Sequence, residues 1–538
     1  MPPGYDGLVA TREDLEATPF ASVNPATLLT VGTVETTERA ALEEILVESR
    51  QAAEAWAREP LERRAAVLRA VAHELVRDDR ALADLIVSET GKPLVEAYTH
   101  DLFVAVEAVV WLADSVDRVF SPERLGFPQL VLKYKRAWIR REPLGVVGIV
   151  SPWNFPLGLP LTQVATAVAA GNSVVLKPSE LTPLTGARIE EIFRRVGAPP
   201  NLVRVVQGAG DTVGDALVSH RQVDAVVFTG STEVGRHVAR RCAERLCPVT
   251  LELGGKDPML VLADADLERS VEGALWGAFA NCGQVCSGVE RIYVASPLHD
   301  AFVERLADRA GELRLGDGHD ASVELGPLIS EGQRSRIEAI VADALEHGAT
   351  LVTGGRRPET PLPGWFHEPT IVSGEPSASR LKREELFGPV TSVVEFDNER
   401  EAVRLANDSS YSLGASVWTA DRERGRSLAR EIHAGSVWVN DHAYSYAACQ
   451  APWGGRGASG LGRTHGRQAL EAMSHTKFTD ADSGRLTPGW WYPYSEQVVD
   501  GFRGILGGLH GGDGLAARAG AFVEHRRGLV HLARKMLR

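Results

Sequence analysis

From Val146 to about Asn440, short β-branched runs take turns with helical segments. "VVGIVSP" reads as a buried strand and "LTQVATAVAAG" as a small-residue helix. "SVVLKPSE" is a second strand, and "LTPLTGARIEEIFRRVGAPP" a second helix. "LVRVVQGAG" and "VDAVVFTG" are further strands, with "GDTVGDALVSH" between them. A second alternating stretch begins near Pro258 and includes "DPMLVLADAD", "ERIYVAS", "TSVVEF" and "SVWVN". Alternation at this spacing means βαβ units and largely parallel sheets covered on both faces, the α/β class. Ahead of it, residues 36–120 carry apolar side chains at three- and four-residue steps and are expected to be helical. "SETGKP" punctuates that run. "VLKYKRAWIRREPLG" alternates polar and apolar residues, as a half-buried strand pair does.

At 538 residues and 44% hydrophobic content, the chain exceeds one core and fits two or three domains. A net charge of -13 argues against a general nucleic-acid binder. Five widely spread cysteines form no disulfide framework and suit a reducing compartment. The first twenty residues carry acids and no apolar core of a signal peptide. No apolar run approaches the roughly 18 residues of a membrane span, so the main body reads as soluble. From Ser483 onward about eight Lys/Arg stand against four Asp/Glu, which marks an appended basic segment.

Four stretches carry the chemistry. In "VDAVVFTGSTEVGRHVARRCAE" a strand runs into Gly230, Ser231, Thr232 and Gly235 before a helix; such a helix start favours a phosphate. An ordinary strand-to-helix turn would look the same. In "VVLKPSE", Lys177 and Glu180 follow a strand's carboxyl end, where α/β sheets bind ligands and a carboxylate can take ribose hydroxyls. A solvated helix-start pair is the plainer reading. "LELGGKDP" puts Glu252 before two glycines, leaving a general base access to water; an ion pair in a loop is the alternative. "FANCGQVCSG" holds Cys282 and Cys286 four apart. There is no second ligand pair for zinc, so no metal site is expected, and the spacing is not C-x-x-C. What remains is either inert buried cysteines or one nucleophilic thiol, in a turn before a helix whose N-terminus lowers its pKa. Spacing alone does not say which cysteine acts.

Taken together with "PWNFP", "EELFGPV" and "PWGGRGASGLGR", these stretches follow one order over about residues 20–480, and the chain resembles the aldehyde dehydrogenase superfamily. The resemblance implies an aldehyde dehydrogenase-like fold with a Rossmann-like cofactor domain, an α/β catalytic domain and a β bridging element. It implies Cys286 as nucleophile, Glu252 as general base and Asn154 as oxyanion donor, with Cys282 a packing residue. It also implies cofactor contacts from Lys177, Glu180, Gly230, Ser231, Gly235, Glu385 and Phe387. The cofactor is then NAD; Glu180 disfavours NADP without excluding it. Glu252 favours hydrolysis over acyl transfer to coenzyme A. Thr464 and His465 stand after "GLGR", where many relatives carry Glu, and Glu290 stands where many have a small or neutral residue.

The expected substrate lining is Gly158, Leu159, Thr162, Val285, Ser287, Cys449 and Trp453. It holds no Arg or Lys, so an apolar medium- or long-chain aldehyde is favoured, with aromatic or polyene aldehydes also open; the chain looks similar to the carotenoid-dialdehyde and long-chain subgroups. A succinic semialdehyde-type enzyme, a non-redox thioester hydrolase and a non-catalytic scaffold are the alternatives. The expected domains are residues 1–123 with 143–253 for NAD, 254–445 for catalysis, and 124–142 with 465–482 as bridging element and oligomer contact in a homodimer or homotetramer. Residues 483–538 form a basic extension. Within it, "GWWYPY" suits a membrane interface, and the Gly-rich "GILGGLHGGDG" would free a basic amphipathic helix over "LAARAGAFVEHRRGLVHLARKMLR". That helix either lies on an anionic membrane or docks on the protein. The resulting reading is a cytoplasmic enzyme, with peripheral contact at the inner face of a membrane left open.

Overall fold

The computed structural model describes residues 19–129, 132–482, 484–512 and 514–537; the reading of the N-terminal segment falls almost wholly outside them. The chain forms two compact units. One takes the residues up to Phe120 together with Glu142–His475; the other takes Ser121–Arg141 and Thr476–Arg538.

Two sheets build the first unit. In the six-stranded sheet the order is Gly460–Leu461, Val249–Glu252, Ala225–Thr229, Val146–Val150, Ser173–Lys177, Val203–Val205. All pairings are parallel except the Gly460–Leu461 edge. From Val146–Val150 the chain first builds outward through Ser173–Lys177 and then returns to add Ala225–Thr229 on the other side. That reversal opens a crevice beyond the carboxyl ends of the strands, the place where such sheets bind ligands. Every residue of Val146–Val150, Ser173–Lys177 and Ala225–Thr229 is buried, which explains why these strands read as continuous apolar runs.

The seven-stranded sheet has the order Thr350–Thr353, Thr370–Ser373, Val390–Phe396, Val289–Ala295, Asp257–Val261, Gly414–Trp418, Ser436–Val439. Only the Thr350–Thr353 edge pairs antiparallel. The cofactor and catalytic halves expected from the sequence thus appear as two sheets of one compact unit. Residues 39–120 are mostly helical. Arg39–Trp56 buries Leu42, Ile45, Leu46, Ala53 and Trp56 at helical spacing, and the Trp56 indole N–H donates to Val168 O at 2.9 Å.

In "VLKYKRAWIRREPLG", whose Val131 lies outside the described residues, the expected strand pair is not formed from Leu132 on. Lys135 N–H closes a turn on Leu132 O at 3.0 Å, and only Arg136–Pro143 is extended. Its neighbours in a three-stranded sheet are Glu123–Leu125 and Ser474–Ala481. Residues 465–475, grouped with the bridging element in the sequence reading, fold with the first unit: Leu470 and Met473 join its core.

In the second unit the Gly-rich stretch is not a linker. Glu496–His510 is a helix capped by Ser495, and Gly501, Gly504 and Gly508 form one buried stripe along it. A Cβ at Gly501 would meet Leu532, one at Gly504 would meet His525, and one at Gly508 the Phe522 ring. The glycines admit a second layer of chain instead of loosening the first. The expected single basic helix is two, Leu515–Glu524 and Arg526–Met536, broken at His525, whose Nδ1 meets Asp500 at 2.6 Å. Among the described residues no helix is long and apolar enough to cross a membrane.

Candidate active site

The loop bearing Cys286 is set by strained backbone. Helix Leu267–Phe279 ends, and Asn281, Cys282 and Gly283 follow in the left-handed region with φ of 51°, 55° and 67°. Non-glycine residues there cost about 1–2 kcal/mol each, so neighbours must hold them. Asn281 N–H donates to Glu96 Oε1 at 2.9 Å, and its side-chain amide donates to Asn154 O at 3.0 Å. Gln284 Nε2 donates to Asn281 O at 3.0 Å, and Ile329 N–H to Gln284 Oε1 at 2.9 Å. At Gly283 a Cβ would lie 2.0 Å from Gly388 O, so glycine is required by both conformation and space. Cys282 packs into the apolar cluster around Phe279 and Ile292.

A strand, Val289–Ala295, follows Cys286. The expectation of a helix N-terminus that lowers the thiol pKa is therefore corrected. Burial pushes the Cys286 thiol above its ordinary value, and Glu385, Glu252 and Asp257 push the same way; the Ser287 backbone N–H opposes them. His442 braces the loop, with Nε2 2.6 Å from Ser287 O, and its buried imidazole is pushed down to about 4 and so is neutral.

Asn154 lies at the crevice of the six-stranded sheet. Its backbone O accepts from Lys92 Nζ at 2.7 Å, and Lys92 pairs with Asp101 at 2.8 Å, both side chains fully buried. Asp101 Oδ1 in turn accepts the N–H groups of Leu157 and Gly158 at 3.0 and 2.9 Å. The Asn154 side chain donates to Gln284 O at 3.0 Å, which ties it to the cysteine loop. Sequence reasoning missed this Lys92–Asp101 brace; "GKP" served there only as a helix end.

Glu252 ends its strand, 5% exposed, with Thr464 Oγ1 3.2 Å from its Oε1. Burial raises its pKa well above the usual carboxylate range, and the Thr464 hydrogen bond opposes the rise. His465 is also buried, its Nε2 without a partner, and it lines a cavity of about 180 Å³ with Thr464, Thr162 and Cys449. Glu385 accepts Gly255 N–H at 3.0 Å, and burial pushes its pKa up to about 8. Glu290, left without a role by the sequence, clamps the same loop: its Oε1 accepts the N–H of Leu386 and Phe387 at 2.7 and 3.1 Å.

The remaining predicted cofactor residues border the crevice of the six-stranded sheet. Lys177 Nζ lies 2.8 Å from Glu180 Oε2 at the end of its strand. Gly230 N–H donates to Glu252 O at 3.0 Å, and Ser231 caps the helix Thr232–Ala243. Gly235 is different. It sits inside that helix with Leu253 where a Cβ would be, and so serves close helix–strand packing. Phe387 meets Trp153 edge-on at 5.4 Å between centroids.

A pocket of about 710 Å³ opens onto Cys286. Leu159, Val285, Ser287 and Trp453 line it, whereas Gly158, Thr162 and Cys449 do not. The expected lining by Gly158, Thr162 and Cys449 is thus corrected: Gly158 packs on the backbone of His100 and Asp101, and Thr162 and Cys449 face the smaller cavity. Phe155, Trp276 and Tyr446 line the pocket instead, with His100, which burial pushes down to about 4 and leaves neutral. These were not legible, because they come from four segments far apart in the chain. Among the described residues no group of three or more His, Cys, Asp or Glu is placed to hold a metal.

The chain is similar to known proteins over most of its length. The sequence is 37% identical over 479 residues to betaine aldehyde dehydrogenase 1 of Oryza sativa subsp. japonica, covering 88% of this chain and 94% of that one. It is 40% identical over 435 residues to the betaine aldehyde dehydrogenase of Bacillus subtilis (strain 168), covering 80% and 87%. A point mutant of Staphylococcus aureus betaine aldehyde dehydrogenase, solved in complex with NAD+, superimposes with a TM-score of 0.83 at 37% identity, covering 88% of this chain and 96% of that one. An NAD+ complex of aldehyde dehydrogenase from Bacillus cereus matches with a TM-score of 0.83 at 34% identity, covering 87% and 94%. The profile of the aldehyde dehydrogenase family matches residues 11–479, and the chain belongs to that family.

Proposed function

We propose that the protein oxidises an aldehyde to its carboxylic acid with NAD, through a covalent intermediate on Cys286. The observation that carries this reading is that Cys286, which lines the aromatic pocket, feels the charges of Glu252 and Glu385, while the Asn154 side chain donates to Gln284 O in the same loop. The crevice fits a dinucleotide. The Glu180 carboxylate, half-exposed beside Lys177, suits ribose hydroxyls, and Ser231 opens a helix towards a pyrophosphate. Gly254 leaves the Glu385 carboxylate room, since a Cβ there would lie 2.5 Å from it. Bound NAD supplies the hydride acceptor. Ionised Glu252, directly or through a water, takes the Cys286 proton, and the sulfur attacks the aldehyde carbon. Asn154 Nδ2, with the Cys286 backbone N–H, stabilises the developing oxyanion; one such donor is worth roughly 3–4 kcal/mol. Glu252 takes a proton from water, which releases the acid from the Cys286 thioester and frees the thiol.

The pocket lining carries no Arg, Lys, Asp or Glu. An uncharged medium- or long-chain aldehyde, or an aromatic one, therefore fits best, because a terminal carboxylate would be buried without a partner. A second reading rests on the aromatic faces of Phe155, Trp276, Tyr446 and Trp453 and on the betaine aldehyde dehydrogenase names of the relatives: a quaternary ammonium aldehyde held by cation–π contacts. We assign the working form to a cytoplasmic homodimer or homotetramer, with residues 124–142 and 465–482 at the subunit contact. Light scattering tests the assembly.

NADH formation should be followed with propanal through decanal, benzaldehyde, succinic semialdehyde and betaine aldehyde. Rising kcat/KM with chain length is the expected result. Preference for betaine aldehyde selects the second reading, and preference for succinic semialdehyde overturns both. Cys286→Ala should abolish turnover while NAD still binds; Cys282→Ala should keep turnover.

A further inference from the structure

The segment "RRCAERLCPV" holds two cysteines that the active site does not use. Cys242 lies in the last turn of the helix Thr232–Ala243, and Cys247 lies just beyond it. The chain leaves the helix through a left-handed residue, Leu246, with φ 54°. Cys247 N–H donates to Cys242 O at 2.9 Å, and Leu246 N–H donates to Ala243 O at 3.2 Å. That pair of bonds is a Schellman helix stop, which brings together the side chains of the two residues at its outer bond. In most proteins that contact is between two apolar side chains; here both residues are cysteines, and the Cys247 thiol donates to Val223 O at 3.8 Å and Pro248 O at 3.6 Å. The left-handed position, usually glycine, is a leucine left 91% exposed. Cys242 is fully buried and Cys247 is half-buried, so one sulfur of the pair is open to a small reagent.

We propose that Cys242 and Cys247 form a reversible dithiol–disulfide pair, oxidised by a hydroperoxide such as hydrogen peroxide. Cys247 is the attacking thiol. It is the half-buried member of the pair and so the one a peroxide reaches, and the Arg245 guanidinium two residues before it favours the thiolate. The Cys247 thiolate attacks one peroxide oxygen, the O–O bond breaks, and water leaves after protonation. The Cys242 sulfur then attacks the Cys247 sulfenic acid; the S–S bond forms, the S–O bond breaks and a second water leaves. Two thiols lose two electrons to the peroxide, and their two protons end in water. A reducing dithiol reverses the bond by exchange. The bridge closes a short loop already shaped by the helix stop, so it needs little movement of the backbone.

The full-length enzyme should be treated with hydrogen peroxide, its free thiols alkylated, and the protein digested with trypsin without reduction. Cleavage after Arg241, Arg245 and Lys256 places the two cysteines on separate peptides. The expected product is the cross-linked pair, lighter by two hydrogens than its parts and separated by dithiothreitol. In Cys242→Ser, dimedone should trap a sulfenic acid at Cys247 that wild type does not accumulate. Recovery of Cys242 as an alkylated thiol after peroxide, with Cys247 either untouched or carried to the sulfinic acid, would overturn the proposal. So would equal dimedone labelling of Cys247 in wild type and variant.

Discussion

The ammonium of Lys256 lies 2.9 Å from the Glu290 carboxylate, with both side chains almost wholly removed from solvent. The pair stands behind the loop that carries Glu385: Lys256 also donates to Glu384 O at 2.7 Å, and Glu290 takes the two N–H groups of Leu386 and Phe387. Removing one member of a buried pair leaves the other uncompensated, at a cost of about 3–5 kcal/mol. Glu290→Ala should therefore lower stability by that order and raise the KM for NAD, since Glu385 loses its fixed position. Glu290→Gln keeps an acceptor for the loop and should be milder on both counts. Thermal unfolding and NAD titration of the two variants check this. An unchanged KM in Glu290→Ala would detach the clamp from cofactor binding.

In the proposed reaction Thr464 tunes the pH at which Glu252 can act as base. Burial raises the Glu252 pKa, and the Thr464 hydroxyl, by bonding to the carboxylate, holds it lower than burial alone would. Thr464→Val removes that bond, so the pKa rises further. The base works only when ionised, and the alkaline shift should be about one pH unit for a hydrogen bond worth roughly 1–1.5 kcal/mol. Hydrolysis of p-nitrophenyl acetate through Cys286 reads this step without cofactor. At neutral pH the variant should be slower, with its loss recovered at higher pH, and Thr464→Ser should behave as wild type. Equal loss at every pH would mean that Thr464 acts only in packing.

Stability in the absence of cofactor should fall as pH rises above neutral. Burial pushes Glu96 up to about 7 and Asp257 and Glu385 up to about 8, with Glu252 well above its usual range. In the unfolded chain these groups ionise near pH 4. The folded state thus holds more protons between the two values, its advantage is full below the unfolded pKa, and it is lost as pH rises through the folded ones. The buried His100, His442 and His465, pushed down to about 4, work in the opposite sense only below about pH 6.5, where the unfolded imidazoles charge. From about pH 7 to 9 the carboxyl groups therefore decide, and Tm should decline. A flat or rising Tm over that range would contradict the buried, protonated carboxyls.

The strands at the crevice were legible because each is a short run of apolar residues that must be buried on both faces. The ordered motifs led to Cys286, Glu252 and Asn154, the residues on which the proposed reaction rests. What holds these residues was not legible. The Lys92–Asp101 brace under Asn154 and the Glu290 clamp on the Glu385 loop join segments roughly 60 and 100 residues apart, and no periodicity reports such pairs. The pocket lining failed for a related reason: helix Gly158–Ala169 is buried all round, so its sequence does not show which residue faces the substrate. The thiol pKa was misread because the helix at the cysteine loop precedes it.

The glycine stripe of the C-terminal helix offers a test of the two expectations for the tail. Gly504 has His525 Cβ 2.7 Å and Leu529 Cγ 3.1 Å from where a Cβ would stand, so a larger side chain there cannot coexist with the second layer. Leu532 is buried by the same packing, while Val523, Val530 and Leu537 stay exposed beside Arg526, Arg527 and Arg534. Gly504→Leu should release Arg526–Met536 from its partner helix and raise proteolysis after Arg526 and Arg527, while turnover of a soluble aldehyde stays unchanged. If the tail is a membrane element, the released and more apolar helix should bind anionic phosphatidylserine vesicles more tightly than wild type. If its apolar face exists for packing alone, the variant should show faster proteolysis and no gain in vesicle binding, and the membrane contact is then excluded.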